Sequence, residues 1–189
     1  MNRCYQFVLI ASTILGSWLG MQLVHELGHV AGAQWTGGKV SRVVLHPLTI
    51  SRTDLSSNPK PLAVVWAGPT VGVVVPLALW GLSLLVRLPA AFVLRFFAGF
   101  CLIANGLYIG VGSIDGVGDC GEVLRSGSRP WQLWLFGALT VPLGFALWHG
   151  QGACFGWGTN RRPISVRIAI GCLATFVMLM VLGFVVGGE

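Results

Sequence analysis

Charge is what this chain of 189 residues has least of: Asp, Glu, Lys and Arg together make up 10% of it, against about 25% in a typical soluble domain. That shortage excludes an ordinary water-soluble globule. Its five cysteines (Cys4, Cys101, Cys120, Cys154 and Cys172) contain no CxxC pair and no zinc-knuckle spacing, and an odd count gives no disulfide framework. No basic tract is long enough to track a phosphate backbone, so nucleic acid is excluded as a partner. The net charge of +6 is carried mostly between apolar segments, where it suits anchoring to anionic headgroups. What the chain does have is apolar residues: 54% are hydrophobic and the mean hydropathy is +0.78. This is the composition of an integral membrane protein, and the length fits one bundle with no separate soluble domain.

Five apolar segments are predicted as membrane-spanning helices, at about 5–35, 62–86, 90–112, 131–148 and 164–186. Each is near the ~20 residues that cross a hydrocarbon core, and the first is longer. It does not stop at the length of a cleaved signal and is expected to be retained. Trp35, Trp131, Trp148 and Trp157 stand near segment ends, as interfacial aromatics do. Between the first two segments, residues 36–61 read differently. Val40–Leu45 and Leu48–Ser51 are rich in β-branched residues around His46-Pro47, which predicts a short interfacial β-hairpin followed by a polar turn from Asp54 to Pro61. The expected fold class is therefore an all-α polytopic bundle of about five transmembrane helices with one interfacial hairpin. Small residues spaced four apart (Gly16/Gly20, Gly28/Gly32, Gly68/Gly72, Gly106/Gly110) offer faces where helices approach closely.

Toward the end of the first segment the chain reads His25-Glu26-Leu27-Gly28-His29. Histidines at i and i+4 share a helix face, so both imidazoles can reach one metal ion, and Glu26 lies close enough to handle the proton of a water there. Ionisable groups in hydrocarbon are costly and mark function. A catalytic zinc takes three protein ligands, so a third must come from elsewhere. Asp54, Asp115, Asp119, Glu122, His46, His149 and the cysteines are the candidates. Alternation of the segments puts Asp115 and Asp119 on the side where His29 ends and His149 on the other. Without CxxC, a closed structural zinc site is disfavoured.

The stretch from Asn105 through Ser113-Ile114-Asp115-Gly116 to Asp119-Cys120-Gly121-Glu122-Val123-Leu124-Arg125 adds to this. With His25-Glu26-Leu27-Gly28-His29 and Ala67-Gly68-Pro69, it resembles the site-2 protease family of intramembrane zinc metalloproteases over roughly residues 21–125. The chain departs from that family's pattern in having no proline between Asn105 and the aspartates, and two aspartates that compete for one role.

The resemblance implies Zn2+ held by His25, His29 and Asp119, with Asp115 as the alternative third ligand. It implies Glu26 as general base toward a peptide bond in or near a substrate's transmembrane segment. Asn105 is expected either to bind substrate or the oxyanion, or to form an interhelical hydrogen bond. Cys120 as a fourth ligand would close the position that catalysis needs. The implied partners are the lipid bilayer and a membrane-protein substrate. The implied location is the inner or plasma membrane with the site nearer the cytosolic face, although Lys and Arg counts do not separate the two sides. The competing reading is a metal-binding membrane protein without proteolytic activity, a transporter or an inactive scaffold. His46, His149 and Arg95 are expected to serve the interface rather than the chemistry.

Overall fold

Helix α1 runs from Arg3 to Thr36, 34 residues or about 50 Å at 1.5 Å per residue, well beyond a hydrocarbon core of about 30 Å. In the computed structural model, which describes residues 3–186, it is followed by strands β1 (Lys39–Val44) and β2 (Arg52–Ser57) and helix α2 (Pro61–Leu85). Helices α3 (Ala91–Gly110), α4 (Asp119–Arg125), α5 (Pro130–Trp148) and α6 (Val166–Val186) complete the order, with a 3-10 turn at Gln151–Phe155. Among the described residues, five helices are long and apolar enough to cross a membrane: α1, α2, α3, α5 and α6. The protein is an all-α multi-pass bundle with a small antiparallel sheet after its first helix.

Glycines decide where the helices meet. Gly106 faces Thr140 and Val141, and Gly110 lies against Gly137, so α3 and α5 approach backbone to backbone. A methyl on Gly28 would come within 2.5 Å of the Ala67 carbonyl oxygen, and one on Gly32 within 2.7 Å of Ala67 Cβ. Helix α1 therefore lies directly on α2 along the face that carries the histidines. Gly16 and Gly20 meet Phe176 of α6 and Phe97 of α3. All four small-residue pairs of the sequence thus sit at helix contacts, where close van der Waals packing stands in for a hydrophobic force. Val65, Ile109, Cys120, Val123 and Leu133 form one buried cluster that ties the short α4 to α2, α3 and α5.

The hairpin departs from its expected form. β2 begins at Arg52, with Val44 opposite Arg52 and Val43 opposite Thr53, so Leu48–Ser51 belongs to the connection and Asp54–Ser57 to the strand. Tertiary contacts explain the shift. Pro47, which has no N–H to give a ladder, packs against Gly183 of α6, and the His46 ring stands edge-on to Phe184 at 4.9 Å. The turn is pinned to α6, and pairing resumes only beyond it. Helix α4 also lies where the sequence indicated only a connection, and at seven residues it is too short to show a helical period.

Candidate functional site: a buried His-His-Asp cluster

His25, Glu26 and His29 occupy the last third of α1, and all three are buried (6%, 3% and 7% exposed). Each imidazole is oriented from behind. Asn105 Nδ2 donates to the Cys101 carbonyl at 2.9 Å, which turns its Oδ1 toward His25 Nδ1 at 2.7 Å. An amide oxygen only accepts, so His25 carries its proton on Nδ1. His29 Nδ1 likewise donates to the Val64 carbonyl at 3.0 Å. Both Nε2 atoms are then left facing inward with their lone pairs, as they are when an acceptor behind the ring holds the Nδ1 proton.

Glycines of α2 make room for these rings. A methyl at Gly68 would run into the His29 imidazole, and one at Gly72 would come within 2.9 Å of both amide atoms of Asn105. That is the local reason for glycine within Ala67-Gly68-Pro69.

Asp119 completes the cluster. It is the first residue of α4, preceded by Gly118 at φ +61° and ψ −139°, a backbone region that L side chains avoid. A methyl on Gly118 would also collide with the Tyr108 hydroxyl. Tyr108 grips this junction twice: its hydroxyl oxygen accepts the Asp119 N–H at 3.0 Å, and its carbonyl accepts the Cys120 thiol at 2.9 Å. So held, Asp119 Oδ2 lies 2.8 Å from His25 Nε2 and 3.2 Å from His29 Nε2, and the two Nε2 atoms are 3.0 Å apart. Burial opposes the charge on Asp119, but the imidazoles beside it, once one carries a second proton on Nε2, outweigh it and hold the carboxyl well below the usual carboxylate range.

These three atoms, each offering a lone pair, require positive charge between them, supplied by a proton on an imidazole or by a cation. Tetrahedral zinc with bonds of about 2.0–2.1 Å places its ligand atoms about 3.3 Å apart. The observed separations are those of one slightly compressed face of such a tetrahedron. The donor set would therefore suit a divalent cation.

Among the described residues, His25, His29 and Asp119 form the one group able to hold a metal ion. Of the two competing aspartates the structure brings Asp119 to the histidines, and Asp115 lies exposed on the turn before α4, outside the cluster. Asp54 pairs with Arg52 on β2 at 3.3 Å. Cys120 turns its thiol away to the Tyr108 carbonyl and stays outside the cluster; burial, with the Asp119 charge adding, pushes that thiol up to about 11. His149 ends α5 and gives its carbonyl to Arg95. Asn105, 1% exposed and bonded at both amide ends, makes the interhelical bond that orients His25, and it also borders the cavity beside the cluster.

Glu26 stays outside the cluster. Its Oε2 accepts a hydrogen bond from the Thr53 hydroxyl of β2 at 2.7 Å. Both residues open, with the cluster, into a cavity of about 830 Å³ bordered by α1, α3, α4 and β2. Thr53 and Tyr108 escaped the sequence reading. Tyr108 follows Asn105 by three residues on α3, the same-face spacing that could have drawn attention to it. Thr53 has no such signal.

Fold and site define a class, a multi-pass helical membrane protein with a buried His-His-Asp site fit for a cation. Comparison with family models, curated proteins and solved structures gives no match.

Proposed function

We propose that the chain is an intramembrane zinc metallopeptidase of the site-2 protease type, which hydrolyses a peptide bond in or near a transmembrane segment of a membrane-protein substrate. The observation that carries this reading is the convergence of His25 Nε2, His29 Nε2 and Asp119 Oδ2 within 3.2 Å of one another, in a cavity that also contains a carboxylate outside the cluster, Glu26. A zinc ion held by those three residues supplies Lewis acidity toward water and the scissile carbonyl. Glu26 takes the proton of the attacking water and returns it to the leaving amine. Thr53 orients the carboxylate for that transfer. Asn105 and Val64 fix the ring orientations.

Glu26 shares the cavity with the cluster but is not one of the converging groups, which favours a proton-transfer role over that of a further ligand. A substrate helix must unwind to present its peptide bonds, and β2, which lines the cavity with Arg52, Thr53 and Leu55, offers an edge for the unwound strand. This reading implies the inner or plasma membrane, with the site nearer the cytosolic face.

The test is Glu26→Gln in the full chain, reconstituted in liposomes with zinc and a panel of single-span transmembrane peptides. Wild type is expected to cleave members of the panel and the variant to lose at least about 100-fold in rate, the usual reach of general base catalysis, with zinc retained. Equal cleavage by the variant, or zinc crossing the bilayer with no cleavage by wild type, contradicts the proposal.

A further inference from the structure

Three glutamines are buried among the described residues: Gln6, Gln22 and Gln151. Gln6 Nε2 donates to the carbonyls of Phe155 and Gly156 at 3.0 and 3.2 Å, and Gln151 Nε2 donates to that of Leu147 at 2.8 Å. Gln22, 6% exposed, makes no hydrogen bond to any described residue. Its side chain lines the same cavity as the His-His-Asp cluster. It lies three residues before His25 and four before Glu26, on the helix face that carries both.

The Gln22 amide opens into the cavity with no partner among the described residues, so its hydrogen bonds are left for whatever enters. An amide carries one carbonyl acceptor and an NH2 donor, which matches the peptide unit of an extended chain, with its one N–H and one C=O. An unwound transmembrane segment has such units to satisfy at a depth where water is scarce.

We infer that Gln22 is a substrate-contact residue, its amide hydrogen-bonding the backbone of the substrate beside the scissile peptide. The inference rests on the metallopeptidase reading and adds to it the part of the substrate that is recognised: main chain, not a particular side chain. Gln22 acts on the chain being cut, and His25, His29 and Asp119 are complete without it.

The test compares two ligands on the zinc-loaded full chain in detergent: acetohydroxamate, which meets only the metal, and a tripeptide hydroxamate, which adds an extended backbone. Gln22→Leu removes the amide at similar volume. Gln22→Asn keeps polarity but shortens the reach, and it stands in if the leucine variant fails to fold. In either variant the tripeptide hydroxamate is expected to bind about 10-fold more weakly, with zinc content and acetohydroxamate affinity unchanged. Unchanged affinity for both ligands overturns the inference. So does an equal loss for both, which would assign Gln22 to the metal site. If acetohydroxamate fails to bind wild type at all, the metallopeptidase reading itself falls, and this inference with it. Loss of tripeptide affinity alone supports both.

Discussion

Replacing Gly68 with alanine adds a single methyl to α2, and the structure says where it goes. It lands on the His29 imidazole, meeting Nε2 and Cε1 first, with Cδ2 at 2.9 Å. The ring has no retreat along α1, because at Gly28 that helix already lies so close to α2 that a methyl there would sit 2.5 Å from the Ala67 oxygen. Overpacking of this kind costs about 1–3 kcal/mol. The least costly relief is rotation of His29, which breaks its 3.0 Å bond to the Val64 carbonyl and turns Nε2 away from Asp119. Zinc affinity should then fall about 10- to 100-fold, the loss seen when the groups orienting a ligand histidine are removed.

Gly81, on the same helix, is the control: a methyl there meets nothing within 4 Å, and alanine should raise helix stability by about 0.5–1 kcal/mol without touching the site. Competition with a chromophoric chelator, alongside circular dichroism of the detergent-solubilised chain, gives both numbers. A folded Gly68→Ala protein that binds zinc within about threefold of wild type, a difference under 1 kcal/mol, would refute the packing argument.

Further outcomes are expected elsewhere in the site. Asn105→Ala leaves the buried His25 N–H without its acceptor, so zinc affinity should drop about 10- to 100-fold; an unchanged chelator competition curve would deny Asn105 its positioning role. Thr53→Val should keep its zinc and lower the rate of peptide cleavage about 10- to 100-fold, since a hydrogen bond to a charged group is worth about 1.5–3 kcal/mol; a wild-type rate would show that Glu26 needs no help from β2. Cys120, fully buried and with its thiol pushed up to about 11, stays protonated at neutral pH. Iodoacetamide at pH 7.5 should therefore label the exposed Cys4 and spare Cys120, and rapid labelling of Cys120 read by mass spectrometry would contradict its placement.

The spans were legible because their apolar runs are long. Boundaries near 62–86 and 131–148 became Pro61–Leu85 and Pro130–Trp148, each opening on a proline that suits a helix start. His25 and His29 were legible because i and i+4 is a local relation. The choice between Asp115 and Asp119 was not, since it depends on Gly118 adopting a positive φ and on Tyr108 holding the start of α4. β2 was misplaced for a similar reason: its register answers to α6, through Pro47 and Gly183 and through His46 and Phe184, more than 130 residues away in the chain. Thr53 reaching Glu26 follows from that register, and no pattern within β2 announces it.

Metal stoichiometry of the purified full chain, measured on wild type, Asp119→Ala and Asp115→Ala, bears most directly on the cluster. One zinc per chain is expected in wild type and in Asp115→Ala, with occupancy largely lost from Asp119→Ala. A wild-type protein that takes up no zinc, or an Asp119→Ala variant that keeps its full complement, would contradict the His25–His29–Asp119 centre and the chemistry built on it.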